Sequence, residues 1–381
     1  MVYNLIATAA FGVEAMVKRE LGWLGCEDTY AENGSVYFRG DEEMICKANL
    51  WLRCAERVLI NMGQFRATTF EELFQGTKAI PWENLIGKHG AFPVSGKSVK
   101  STLHSVPNCQ KIVKKAIVER LKSVYGGDWL DEKGPEYKIE VAILNDEVTL
   151  TVDTSGMGLH KRGYREKAGE APLKETLACA MLYISRWKPD RVLMDPLCGS
   201  GTIPIEAAMI AMNMAPGLKR SFAFEKWPQI PSEIWKKVKE EAKASIHEES
   251  ELRIYGSDID YFALKLAQEH AENAGVAGKI HLQKLDFANT SSRFKYGFIV
   301  TNPPYGERLS DKTEVQSLYS KMGDHFKKFD TWSYYIITSY PEFEKYFGRK
   351  ADKKRKLYNA MLKCEYYQYF GPKPPKIEPI L

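Results

Sequence analysis

Asn302-Pro303-Pro304-Tyr305 follows the apolar run 296–301 and places a polar acceptor, a rigid turn and an aromatic face together. Two consecutive prolines fix φ and supply no N–H, so the Asn302 side-chain oxygen and the Pro303 carbonyl are left as outward acceptors. Such a pair suits the two hydrogens of an exocyclic amino group on a nucleobase. The nitrogen of that group is a poor nucleophile until acceptors on its hydrogens push electron density back onto it. Tyr305 adds a surface on which the base plane can stack. Read alone, the proline pair is an ordinary turn ending a strand.

Three upstream clusters change that reading. Asp195-Pro-Leu-Cys198-Gly199-Ser200-Gly201-Thr202, Asp258 and Asp286-Phe287 each end a short apolar segment. A phosphate-binding P-loop requires Gly-Lys-Ser/Thr, which this loop lacks, and a G-x-G-x-x-G dinucleotide fingerprint requires glycine where Pro204 stands. A purely structural turn stays open for the glycines, and a helix N-cap for each acid. The joint order of the clusters favours S-adenosylmethionine. Asp195 would anchor the loop and the methionine ammonium, while Gly199 and Gly201 permit close backbone approach. Asp258 would accept from both ribose hydroxyls and Asp286 from the adenine amino group, with Phe287 against the adenine ring. Cys198 fits this loop as a small apolar side chain rather than a reactive thiol.

These residues need a scaffold that brings successive strand ends together. Strand-like and helix-like segments alternate from residue 173 onward: a helix at 173–187 opened by Pro172, a strand at 191–194, a helix at 203–212, and strands at 253–256, 279–285, 296–301 and 332–338, with a final pair within 357–370. That grammar predicts a doubly wound, mostly parallel α/β sheet whose ligands sit at the strands' carboxyl ends. Asp195 and Asp258 lie 63 positions apart, whereas a β-α-β unit takes about 30 residues. An insertion at about 213–251, containing an amphipathic helix at 231–244, fills the difference. The first 64 residues follow a β-α-β-α-β rhythm and predict a small ferredoxin-like α+β domain. A second α+β unit occupies 65–155, with a basic strand at 97–104, a helix at 109–124 and a hairpin over 137–153. The main boundary falls at the polar, basic segment 160–169, and the catalytic domain is expected to span 156–381.

Composition bounds the partners. The chain of 381 residues is 44% hydrophobic and 27% charged, as soluble globular proteins are. No window approaches ~18 uncharged apolar residues, and the N-terminus lacks a basic start, so an unprocessed cytoplasmic protein without membrane association is expected. Seven scattered cysteines with no C-x-x-C pair and no clustered histidines predict reduced thiols and no metal site. The net charge is only +5, yet residues 60–125 carry ten Lys/Arg against four acids. That excess points to a polyanion-binding face, or equally to a solvated helix surface.

The motifs DPLCGSGT, SDID, LDF and NPPY in the second half resemble those of class I methyltransferases that modify exocyclic amino groups. HKRGYRE, APLKETLA and APGLKRSFAFEKWP extend the resemblance, over residues 1–370, to the bacterial THUMP-domain RNA methyltransferases, in particular the family of the 23S ribosomal RNA guanine-N2 methyltransferase. That resemblance implies a Rossmann-like catalytic domain preceded by ferredoxin-like and THUMP domains that grip RNA. It implies a catalytic set of Asn302, Pro303, Pro304 and Tyr305. The cofactor set becomes Pro172, Leu173, Asp195, Cys198, Gly199, Ser200, Gly201, Thr202, Asp258, Ile259, Asp286 and Phe287. RNA contacts are expected from Lys97, Lys100, Lys111, Lys114, Lys115, Arg162 and Arg165, with ribosomal RNA as the partner. The tetrapeptide does not itself separate guanine from adenine, so adenine-N6 methylation of DNA and guanine-N2 methylation of transfer RNA stay open. A catalytically idle RNA-binding or ribosome-assembly factor fits the intact motif series poorly.

Overall fold

The computed structural model describes residues 1–127, 130–165, 173–248, 251–306 and 312–375. The chain divides into two compact units. The first comprises residues 1–9, 17–159 and 221–241, and the second residues 10–16, 160–220 and 242–381.

The first unit is built on one seven-stranded sheet of order β2-β3-β1-β4-β7-β6-β5. Its strands are β1 (Tyr3–Ala9), β2 (Tyr30–Glu32), β3 (Ser35–Gly40), β4 (Ala55–Arg66), β5 (Val94–Val99), β6 (Ile139–Leu144) and β7 (Glu147–Asp153). Its helices are α1 (Glu14–Trp23), which begins within residues of the second unit, α2 (Glu42–Trp51), α3 (Phe70–Ala79) and α4 (Val106–Tyr125). Local signals set the helix starts: Asp41 accepts from the Met44 amide at 2.9 Å, and Thr69 with Glu72 forms a reciprocal capping box. The 12-residue strand β4 runs straight through the expected boundary at 64/65. It pairs with β1 through Ile60↔Leu5 and with β7 through Leu59↔Asp153, so the two α+β segments share one ladder.

The insertion completes this first unit. The Trp227 ring stacks on Tyr137 with centroids 4.8 Å apart, and its indole N–H donates to the Glu136 carbonyl at 2.9 Å. The Phe224 amide donates to the Thr154 carbonyl, and the Tyr137 hydroxyl to Gln229.

The second unit carries a seven-stranded sheet of order β10-β9-β8-β11-β12-β14-β13. Helix α5 (Glu175–Ser185) leads to β8 (Leu193–Asp195) and α6 (Thr202–Ala211). Helix α7 (Ser232–Ala244) lies in the insertion, followed by β9 (Ile254–Asp258), α8 (Tyr261–Ala274), β10 (Ile280–Lys284) and β11 (Phe298–Thr301). Helix α9 (Lys312–Phe326), β12 (Ser333–Thr338), α10 (Phe343–Phe347), β13 (Lys353–Asn359) and β14 (Leu362–Tyr369) complete it. All neighbours from β10 to β12 pair in parallel, and β14 runs antiparallel between β12 and β13. An aromatic core of Tyr319, Phe326, Phe343, Tyr334 and Tyr369 fills the space under β12 and β14. The last strand pair begins four residues before the expected 357. Lys353-Lys354-Arg355-Lys356 has no apolar alternation to announce a strand, because it lies at the sheet's edge.

Among the described residues no helix is long and apolar enough to cross a membrane. Nor, among the described residues, is any group of three or more His, Cys, Asp or Glu side chains placed to hold a metal ion, and no disulfide joins the seven cysteines.

Candidate active site and cofactor cavity

Asp195 closes β8 and is almost wholly buried, at 2% exposure. One of its carboxylate oxygens accepts from the Thr301 hydroxyl at 2.7 Å and from the Leu197 amide at 3.3 Å. Burial pushes its carboxyl up to about 7, and the nearby Asp258 charge adds to that rise, against the pull of those two hydrogen bonds. The loop beyond is tied to β9: the Cys198 amide donates to the Ser257 carbonyl at 2.9 Å and the Gly199 amide to Asp258 Oδ2 at 2.8 Å. The other Asp258 oxygen accepts from the Asp260 amide at 3.0 Å. Each carboxylate oxygen retains a further lone pair. Burial pushes the Cys198 thiol well up, in keeping with an inert space-filling role.

Gly201 enters α6 with φ +80°, and a Cβ there would lie 2.9 Å from the Ala267 Cβ. Gly201→Ala should therefore cost about 1–3 kcal/mol through left-handed strain and crowding. Earlier thermal unfolding together with weaker S-adenosylhomocysteine binding in calorimetry would be the result. Unchanged values in both would remove the glycine from the argument.

Beside this loop lies a cavity of about 510 Å³, in whose wall neither Asp258 nor Gly201 of the expected set stands. Of the expected cofactor residues, Leu173, Asp195, Cys198, Gly199, Ser200 and Thr202 line it, and so does Asn302 of the catalytic set. The volume lies within the ~300–1,000 Å³ typical of ligand pockets. An ammonium placed at buried Asp195 would supply the counter-charge its ionised form needs there, so the donors and acceptors present fit S-adenosylmethionine. Leu197, Ile203, Asp260, Phe262, Ala263 and Leu266 also form the wall and were not in the expected set. Their signal was the spacing 262, 263, 266 behind the N-cap Asp260, whose carboxylate accepts from the Phe262 amide at 2.8 Å.

Other expected residues fall elsewhere. Pro172 lies outside the described residues. Ile259 is 63% exposed and Asp286 caps a short turn by accepting from the Ala288 amide at 2.9 Å. Phe287, expected against the adenine ring, is instead part of the aromatic core, edge-on to His325 with centroids 6.2 Å apart. Arg162 and Arg165, expected on RNA, are interior residues. Arg162 is 3% exposed and pairs with the fully buried Glu206 at 3.4 Å, which also accepts from the Tyr164 hydroxyl and the Cys179 thiol. Arg165 pairs with Glu175 at 3.3 Å and donates to Thr202 at the start of α6. Desolvated pairs of this kind hold their guanidinium groups in place and keep them from phosphate. In the first unit, Lys114 is engaged by Glu132 at 2.6 Å and sits 3.6 Å from the centre of the Phe92 ring, whereas Lys97, Lys100, Lys111 and Lys115 are exposed. Lys97 pairs with Glu140 at 2.8 Å while keeping most of its surface in solvent.

The catalytic tetrapeptide leaves β11 directly after the buried Thr301 that contacts Asp195. Tyr319 of α9 secures it: its hydroxyl donates to the Pro304 carbonyl at 2.7 Å and lies 2.9 Å from the Thr338 hydroxyl. Among the described residues nothing donates to the Pro303 carbonyl. The Tyr305 hydroxyl donates to the Asn302 side-chain oxygen, the same oxygen expected to receive a substrate amino group.

Family models match the chain in three stretches: an RlmL ferredoxin-like domain at 4–59, a THUMP domain at 67–153 and an RMKL-like methyltransferase domain at 162–368. The putative RNA methyltransferase YpsC of Bacillus subtilis is 50% identical over 371 residues, covering 97% of this chain and 96% of that protein. The ribosomal RNA large subunit methyltransferase K/L of Shewanella frigidimarina is 34% identical over 96% of this chain. The chain spans only 52% of that longer protein. A crystal structure of SMU.472, a putative methyltransferase complexed with S-adenosylhomocysteine, superposes with a TM-score of 0.93 at 46% identity, covering 98% of this chain and 99% of the other. Its bound molecule is the demethylated product of the donor inferred from the Asp195 cavity. The chain belongs to the THUMP-domain class I RNA methyltransferases, in their RMKL-like group, and S-adenosylmethionine is its cofactor.

Proposed function

We propose that the protein transfers a methyl group to the N2 amino group of a guanine in RNA, with 23S ribosomal RNA as the substrate. The observation that carries the amino-methylating part of this reading is the position of Asn302, which lines one cavity with Asp195 and the glycine loop. When bound, S-adenosylmethionine supplies an electrophilic methyl on a sulfonium that leaves as a neutral thioether, so no strong general base is required. Asp195 holds the ammonium end and Asp258 the ribose. Asn302 and the Pro303 carbonyl accept the two amino hydrogens and aim the nitrogen lone pair along the transfer axis, a near-attack arrangement. Tyr305 exchanges its hydrogen bond with Asn302 for a stacking contact on the base, which must first leave its helix or come from a loop. The methylated nitrogen then loses one proton to solvent. Ribosomal RNA as target, and guanine N2 as the reacting group, rest on the name of the K/L relative and on the motif resemblance.

The test is transfer of tritium from labelled cofactor to ribosomal RNA, transfer RNA and duplex DNA isolated from a deletion strain, followed by mass spectrometry of the nucleosides. N2-methylguanosine in the large-subunit RNA is the expected product. Label confined to transfer RNA would move the substrate, and N6-methyladenine in DNA would overturn the reading.

A further inference from the structure

We propose that the basic edge of the catalytic sheet, formed by β13 and the turn that follows it, is a second phosphate-binding surface that holds the RNA strand carrying the target base. This inference rests on the RNA reading above and adds to it a contact outside the N-terminal domains. From Arg349 to Lys363 the chain carries seven Lys/Arg and one acid, Asp352. Two of the seven are neutralised, Arg349 by Asp352 at 3.4 Å and Lys354 by Glu344 at 2.8 Å. Lys350, Lys353, Lys356 and Lys363 are exposed, and none of them makes an ion pair among the described residues. The remaining acid facing them is Glu365, directly across the ladder from Lys356.

The ordinary reason for lysines on an edge strand is to prevent pairing with another sheet. Here the edge is already covered where Lys356 lies. A Cβ on Gly12 would come within 2.6 Å of the Lys356 carbonyl, and the Phe11 ring meets Tyr358 edge-on at 6.0 Å. Guarding the edge therefore does not account for the charge at this point.

The ladder register places the charge of β13 and the turn after it beside the reaction, whereas Lys350 precedes the strand toward its other end. Thr301 is opposite Ile336, Ile336 opposite Tyr367, and Tyr367 opposite Lys354, so Lys354 is level with the last residue before the catalytic tetrapeptide. Strand β13 runs in the same direction as β11. Lys356 is thus two residues further toward the end of the sheet from which Asn302 projects, and Lys363, opposite Tyr358, is four residues further. Three strand spacings separate β13 from β11, about 14 Å at ~4.8 Å each. That span matches about four phosphates of one helical strand at ~3.4 Å of axis apiece. A strand delivering a base to Asn302 would pass these lysines.

The experiment compares the wild-type chain with K353Q/K356Q/K363Q, using deproteinised large-subunit ribosomal RNA from a deletion strain. Filter binding is measured over a salt series, and S-adenosylhomocysteine affinity by calorimetry. The expected result is a salt dependence shallower by about two to three in log–log slope. RNA affinity should fall at least tenfold at 150 mM salt, with cofactor affinity unchanged. Lys328, an exposed lysine beyond α9 at the opposite end of the sheet, supplies the comparison: K328Q should leave the slope as in the wild type. An unchanged slope in the triple variant, or an equal drop per lysine in the comparison variant, would overturn the inference while leaving the methyltransferase reading standing. A wild-type chain that binds no RNA while retaining S-adenosylhomocysteine would overturn both.

Discussion

Asn302→Ala is expected to lower methyl transfer to RNA by about three orders of magnitude, a loss in the range reached when a preorganised transition-state hydrogen-bond partner is removed. The affinity for S-adenosylhomocysteine should stay within about threefold, because Asp195 and the glycine loop are untouched. The contrast between the two measurements is the informative part. Asn302 contributes to the cavity wall, so a merely structural role would weaken cofactor binding along with turnover. An acceptor role affects the amino nitrogen alone. Single-turnover assays with cofactor saturating separate these outcomes, and wild-type turnover by the variant would sink the proposed chemistry. Asn302→Asp makes the point sharper. It keeps the acceptor and the shape, and should retain more activity than alanine while shifting the pH profile.

The second large effect is at Asp195. Its carboxyl titrates near 7 without cofactor, and a bound ammonium favours the ionised form, so binding draws a proton off the acid as pH falls. Calorimetry should show the dissociation constant for S-adenosylhomocysteine rising by about twentyfold from pH 7.5 to pH 5.5, accompanied by proton release that depends on the buffer's ionisation enthalpy. Asp195→Asn should abolish that dependence and weaken binding by about a hundredfold at pH 7.5, the loss of a hydrogen-bonded charge partner worth about 1.5–3 kcal/mol. A pH-independent affinity in the wild type would show that the ammonium is held elsewhere. For the cofactor-free fold the sign is opposite. The folded-state value lies above the ordinary carboxylate range, so this group's contribution to stability is greatest in acid and is lost as pH climbs from about 4 to about 7.

The chemistry-bearing loops were legible because each one ends a buried strand, where an apolar run stops at a polar residue or a glycine. Asp195, Asp258 and Asn302 all announce themselves in that way. Phe287 shows the limit of the signal: an aromatic after a strand-end acid looks the same whether its ring faces a ligand or the core. Arg162 and Arg165 were misread for a related reason, since a basic run gives no indication of whether its charges meet solvent or a buried partner. The clue lay at a distance, in Glu206. An acid in the middle of the otherwise apolar helix Thr202–Ala211 requires a cation that the helix does not supply. Tyr319 was invisible for the opposite reason, being one tyrosine among twenty whose importance comes from a carbonyl 15 residues away. The length between Asp195 and Asp258 disclosed an insertion, but nothing local in it named the unit it would join.

That insertion limits how the protein can be taken apart. Residues 221–241 are encoded between the first two strands of the catalytic sheet, yet they place Phe224 and Trp227 in the core of the other unit. A fragment cut after residue 159 would leave Tyr137 without its stacking partner. The complementary fragment would carry an amphipathic strap with nothing to cover. Neither half is a removable module, so gene fusion or recombination at 159/160 would not yield a portable RNA-binding domain.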